Sequence, residues 1–191
     1  VNDPSLINSP LTLLVTQSAE EQKQLDLVFM QRAFALAQQA EQHDEIPVGA
    51  VVVHQGKIIA EGFNQSIMLH DPSSHAEMNA IRQAGKLLNN YRLLDCTLYV
   101  TLEPCPMCAG LLVHSRIKRL VYACHDFKTG SAGSAFNLMN TAQLNHQVEV
   151  HSGVMQAQCS ELLSAFFKRR RKEKKQAKKA AKAATVTGKC D

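Results

Sequence analysis

The chain has 191 residues, 45% hydrophobic and 20% charged, enough for one domain with a real core and flanking tails. No apolar run approaches the roughly 20 residues of a membrane span, and Leu11 to Val15 is too short for a signal-peptide core, so a cytoplasmic protein with no membrane association is expected. The net charge of +4 conceals a division: residues 1–167 hold ten Lys/Arg against fifteen Asp/Glu, net −5, and residues 168–191 hold eleven against two, net +9.

Three parts follow: an N-terminal extension over 1–18, a domain over 19–167 and a basic helix or tail over 168–191. The first part has Ser/Pro/Asn clusters around one small apolar patch and is expected to be flexible. Ser18-Ala-Glu-Glu21 has the form of a capping box, after which Leu25, Val28, Phe29, Arg32, Ala33, Leu36, Ala37 and Ala40 recur at helical spacing. The β-branched run Pro47–Val53, a turn at His54–Lys57 and Ile58–Asn64 predict a hairpin. Asn64, at the end of its second strand, suits either turn formation or a hydrogen bond to a ligand.

Asp71-Pro72 breaks the chain, and Ser73-Ser74 reads as the cap of a helix that starts at His75, runs through Met78, Ala80, Ile81 and Ala84, and can end at Gly85. Cys96–Thr101 is a third strand, stopped at Pro104. Cys105 and Cys108 then open an apolar helical run, Ala109 to Val113. Arg119–Cys124 is a fourth strand, Asp126–Ser134 a polar Gly-rich loop beside the site, Val148–Gly153 a fifth strand, and Ala157–Phe167 a helix burying Leu162, Leu163, Phe166 and Phe167. Its Ala/Lys-rich continuation lets that helix run on into the basic tail. Strands alternating with helices imply an α/β fold with at least part of a parallel sheet.

His75, Cys105 and Cys108 are good zinc ligands, and three protein ligands leave a position for water or substrate, as catalysis needs. At about 100° per residue His75 and Glu77 diverge by roughly 200°, which suits one as ligand and the other as a carboxylate that moves protons. A helix start also favours the thiolates that zinc requires. The competing readings are a redox pair, or a structural site completed by Cys96, Cys124, Cys159, His114 or His125. Six cysteines at irregular positions fit a reducing compartment better than a disulfide framework. The order H-x-E then P-C-x-x-C is the zinc deaminase signature. The basic run from Lys168 to Lys182 suits phosphates of RNA or DNA, or else is a solvated end.

Over about Leu25 to Arg171 the chain resembles the bacterial tRNA-specific adenosine deaminases. The carrying segments are Ile46-Pro-Val-Gly-Ala-Val, Glu61-Gly-Phe-Asn64, His70-Asp-Pro, His75-Ala-Glu, Asn90-Tyr-Arg-Leu, Thr97-Leu-Tyr-Val-Thr-Leu-Glu-Pro-Cys, Met107-Cys-Ala-Gly, His114-Ser-Arg-Ile and Lys128-Thr-Gly. Free cytidine deaminases tend to carry Pro-Cys-Gly-x-Cys instead, whereas guanine deaminases share Pro-Cys-Pro-Met-Cys. Cys124-His125 stands where family members often have a small residue and a basic one.

The resemblance implies a cytidine-deaminase-like three-layer α/β/α sandwich with a mixed five-stranded sheet, and a homodimer. It implies one Zn2+ per subunit on His75, Cys105 and Cys108, with Glu77 as proton shuttle. Asn64, Pro47, Val48, Ala76 and Asp126 would bind the substrate, the anticodon loop of a tRNA. The implied reaction is hydrolytic conversion of the wobble adenosine, position 34, of an arginine tRNA to inosine, with attack of a zinc-bound hydroxide at C6. The alternatives are a deaminase of free guanine or cytosine type bases or nucleosides, and a noncatalytic zinc-stabilised RNA-binding module.

Overall fold

The computed structural model describes residues 18–187, with side chains described through residue 181; the expectation for the first seventeen residues lies outside that span. The expected capping box is formed, Ser18 Oγ accepting from the Glu21 N–H and the Glu21 carboxylate from the Ser18 N–H. Helix α1 (Ala19–Gln42) follows and buries Phe29, Met30, Ala33, Leu36, Ala37 and Ala40. Val28, expected on that stripe, is exposed, and Asp26 is buried instead. Asp26 is held there by two Arg119 guanidinium nitrogens at 2.7 Å each and by the Tyr99 hydroxyl at 2.8 Å. A buried carboxylate persists only when it is paired and hydrogen-bonded in this way.

Strands β1 (Gly49–His54) and β2 (Lys57–Phe63) form the expected hairpin. Its two turn residues, Gln55 and Gly56, have φ of 50° and 72°, the left-handed pair that a two-residue turn needs to match the strand twist. Strand β3 (Cys96–Leu102) pairs antiparallel with β1, while β4 (Arg119–Cys124) runs parallel to β3 and β5 (Glu149–Ser152) parallel to β4. The sheet is therefore mixed, in the order β2-β1-β3-β4-β5. Because β1 is reversed, its start lies at the same sheet edge as the ends of β2, β3 and β4. That edge holds the site.

Helices α2 (Ala76–Leu88), α3 (Pro106–His114) and α4 (Gln156–Thr187) complete the domain. A Cβ on Gly49 would stand 2.2 Å from Ala33 O in α1, and one on Gly62 would stand 2.3 Å from Ala76 O in α2. Gly62 pairs with Ala50, the rung next to Gly49, and adjacent rungs face opposite sides. Helices α1 and α2 thus cover opposite faces, with α4 against α1 and α3 against α2. This is the expected three-layer α/β/α sandwich.

The local corrections have physical causes. Ser73 and Ser74 do not cap α2: Ser73 Oγ and N–H both donate to Asp71 Oδ1, Ser74 Oγ pairs with the Asn79 side chain, and the cap position falls to His75. The helix also passes Gly85 to end at Leu88, because Asn89 takes the left-handed conformation at φ 48° and the Asn90 N–H returns to Gly85 O. In α4, Leu163 and Phe166 are buried as expected, but Phe167 is 42% exposed. The helix continues past residue 168 into the basic stretch, as its Ala/Lys-rich composition allows.

Candidate active site and metal centre

The N-terminal ends of α2 and α3 meet at the sheet edge, and each cap position carries a metal-binding atom instead of a capping side chain. His75 caps α2 and Cys105 caps α3, neither making a side-chain capping bond. His75 Nδ1 lies 3.7 Å from Cys105 Sγ and 3.6 Å from Cys108 Sγ. Ideal zinc–nitrogen and zinc–sulfur bonds at a tetrahedral angle put nitrogen and sulfur about 3.6 Å apart. The trio therefore fits tetrahedral zinc. Among the described residues no fourth His, Cys, Asp or Glu joins the group, so the structural-site reading with Cys96, Cys124, Cys159, His114 or His125 as completing ligand does not hold.

Two helix N-termini aimed at one point favour negative sulfur there. The Cys105 thiol is held down at about 4, chiefly by the hydrogen bond from the Cys108 thiol, with His75 adding to it against the cost of burial. Cys108 is pushed up because its thiol keeps the proton it donates to the Cys105 thiolate, and burial adds to it. A dication removes that conflict by meeting both sulfurs at once. The His75 imidazole is held up by its hydrogen bond to Cys105 and by the nearby Glu77 charge, against burial.

Glu77 is buried in the first turn of α2. Burial, with the Cys105 charge adding to it, raises its carboxyl above the ordinary range. It lines a cavity of about 530 Å³ together with Val48, Asn64, His75, Cys105 and Asp126, within the range of small-ligand sites. Cys108 is buried behind Cys105. Pro47 and Ala76 do not line the cavity but shape it. Pro47 is the centre of a tight turn closed by the Val48 N–H on Ile46 O at 2.7 Å. The Ala76 N–H donates to Asn64 Oδ1 at 2.9 Å. Asn64, just past the end of β2, thus meets the first N–H of α2 with its Oδ1.

Asp126 turns its carboxylate onto its own loop, accepting from the Lys128 and Thr129 N–H groups and from the Thr129 hydroxyl. Burial works to raise its carboxyl, but these bonds outweigh it and lower it. Sequence reasoning missed the group that anchors this loop. Glu103, 2% exposed, accepts from the Asp126, Ala132 and Ser134 N–H groups at 3.0, 2.9 and 3.0 Å. Its one sequence signal is position, a carboxylate directly before Pro104-Cys105. Also missed are Phe127, 81% exposed, and Phe167, which line the mouth with Leu163 and Lys128. The His125 ring stacks on Phe127 and meets Tyr122 edge-on, with its Nδ1 3.0 Å from Ser134 Oγ.

Residues 23–124 match the family described as the cytidine and deoxycytidylate deaminase zinc-binding region. The tRNA-specific adenosine deaminase of Haemophilus influenzae is 51% identical over 157 residues, 82% of this chain and 91% of that protein. The enzyme of the same name from Bacillus subtilis is 46% identical over 148 residues, 78% and 92% of the two. A solved structure from work on A-to-I editing by tRNA:A34 deaminases superposes with a TM-score of 0.70 at 39% identity, covering 71% of this chain and 99% of that one. With the family match over residues 23–124, these identities and the His/Cys/Cys trio in place, the chain belongs to the cytidine and deoxycytidylate deaminase zinc-binding family, among its tRNA-specific adenosine deaminases.

Proposed function

We propose that this protein converts adenosine 34 of a tRNA anticodon, an arginine tRNA in the first instance, to inosine with uptake of water and release of ammonia. The observation that carries the reading is buried Glu77 beside a His/Cys/Cys trio of zinc spacing, in a cavity with exposed aromatic rings at its mouth. The names of the similar proteins supply the substrate class. Bases of a loop are already partly unstacked, so extruding one costs less than from a duplex. Phe127 and Phe167 offer the planar surfaces on which its neighbours stack.

His75, Cys105 and Cys108 hold one zinc per chain. When bound, zinc supplies a Lewis acid that makes water a nucleophile near neutral pH. With zinc bound, Glu77 would take one proton from the water and deliver it to N1 of the purine as C6 is attacked; it would then take the remaining proton from the new C6 hydroxyl and pass it to the amino group, which leaves as ammonia as the C6 carbonyl forms. Its raised carboxyl suits a group that must both accept and return a proton. With Oδ1 committed to Ala76, Asn64 has its amide NH2 end to donate to the substrate. Val48 and Leu102 add apolar wall.

A homodimer and a cytoplasmic place of work belong to the same proposal. Tyr91, Leu87 and Leu94 are 72, 63 and 57% exposed, and Tyr91 sits at a groove between α2 and α3 lined by Ile81 and Leu111, a surface suited to a second copy. No helix among the described residues is long and apolar enough to cross a membrane.

The test is inosine formation by zinc-loaded protein on an arginine tRNA anticodon stem-loop beginning its anticodon with A, with free adenosine, cytidine and guanine in parallel. Stem-loop turnover alone is expected. Turnover of a free base or nucleoside alone would move the protein to the metabolic deaminases, and no turnover would leave a binding module.

A further inference from the structure

Helix α4 lines the cavity mouth with Leu163 and Phe167, and the same face continues outward as Arg171, Lys174, Lys175 and Lys178. At about 100° per residue these six side chains fall within roughly 120° of one another. We infer that this face is a track for the phosphates of the RNA strand leaving the pocket, running from the mouth into the anticodon stem. The inference rests on the reading of an RNA substrate and specifies which part of it the helix holds. From Phe167 to Lys178 the track is about 16 Å long.

Two sets of α4 cations differ in their partners, one anchored and one on this face, with Lys168, Lys172 and Lys179 on the flank of the second. Arg169 reaches Asp44 at 2.8 Å, Glu41 at 4.0 Å and Glu173 at 3.3 Å, and Arg170 reaches Glu173 at 3.2 Å. These fasten α4 to the end of α1. Arg171, Lys174, Lys175 and Lys178 are exposed and, among the described residues, form no ion pair. They enclose a shallow basic depression with Lys179. Arg171–Lys175 and Lys174–Lys178 are like charges four residues apart, an arrangement that destabilises a free helix and that a polyanion relieves. A lipid surface is the poorer partner, because the opposite side of this stretch, Glu173, Gln176, Ala177 and Ala180, lacks the bulky apolar residues of a membrane-lying helix.

The experiment compares the full zinc-loaded chain with a variant carrying Arg171→Gln, Lys174→Gln, Lys175→Gln and Lys178→Gln, which keeps helix propensity. Binding to the A34 stem-loop is measured across a salt series, with turnover and binding to phosphatidylserine vesicles alongside. Four lost phosphate contacts reduce the slope of log K against log salt by about 3, and the loss of turnover falls on KM. Lys174→Gln alone, a guard against misfolding, reduces the slope by about 0.8. Arg169→Gln, which touches the first set only, leaves the slope unchanged. Unchanged RNA affinity and slope in the fourfold variant overturn the inference, and vesicle binding lost with RNA binding intact overturns it in favour of lipid. A wild type that binds the stem-loop but forms no inosine overturns the proposed function and not the track.

Discussion

Glu77 and Cys105 line one cavity but fail differently when replaced. Glu77 is the proposed proton shuttle and stands outside the metal-binding trio, so Glu77→Gln should keep zinc, measured by metal analysis, while kcat falls about 10²- to 10⁴-fold; near-normal turnover would remove the shuttle from the mechanism. Cys105→Ala should lose zinc and activity together, and retained stoichiometric metal would contradict the ligand set. This part of the site was legible in the sequence because three ligands and one carboxylate are packed into two short segments, 75–77 and 105–108, whose spacing is local. Asn64 was half legible. Its strand-end position was readable, but its partner, the Ala76 N–H, depends on how β2 and α2 pack. The position of Glu103 before Pro104-Cys105 was readable but its role was not, since its three acceptor bonds go to backbone groups 23 to 31 residues away, and backbone groups leave no sequence signal.

Between elements, two glycines set distances that any side chain would change. At Gly62 a Cβ would stand 2.3 Å from Ala76 O and 2.7 Å from Ala80 N, so Gly62→Ala has to push the start of α2 off the sheet. The destabilisation should reach about 2 kcal/mol or more, in the range of overpacking a rigid interior, and zinc affinity should fall with it because His75 caps the displaced helix. Gly130→Ala makes the corresponding test of the loop. Its Cβ would meet the Glu103 carboxylate at 2.4 Å, so the anchor and the loop cannot both stay, and KM should rise more than kcat falls. A variant with wild-type stability and kinetics at either position would mean the contact relaxes freely. The elements themselves were readable from period and capping: β4 matches Arg119–Cys124 residue for residue, and α1 begins at its box. Their ends were less so. Ser73-Ser74 had a cap's composition but was already engaged by Asp71 and Asn79, and Asn89 ended a helix that Gly85 had the composition to end.

Across the whole molecule, α1 is joined to the far half of the sheet by Asp26, whose partners Tyr99 and Arg119 lie on β3 and β4. No periodicity reports such a group; a charged residue on a helix reads as a solvent face until the chain brings its partner from 93 residues away. Burial works against the Asp26 anion, yet the Arg119, Tyr99 and Gln22 hydrogen bonds outweigh it and hold the carboxyl below its ordinary value. A carboxyl lowered in the folded state contributes stability that is fully present above its unfolded pKa, near 3.9, and is lost as pH falls through the lower folded value. Asp26→Asn leaves Arg119, whose side chain is 12% exposed, without its counter-charge, and should cost about 3 kcal/mol at pH 7 in denaturant unfolding. The gap between wild type and variant should narrow as pH drops below about 4. Replacing the whole group, Asp26→Leu with Tyr99→Phe and Arg119→Met, should recover most of the loss, because breaking a buried pair costs more than never forming it. A gap that stays constant from pH 7 to pH 3 would show that packing, and not charge, holds α1 to the sheet.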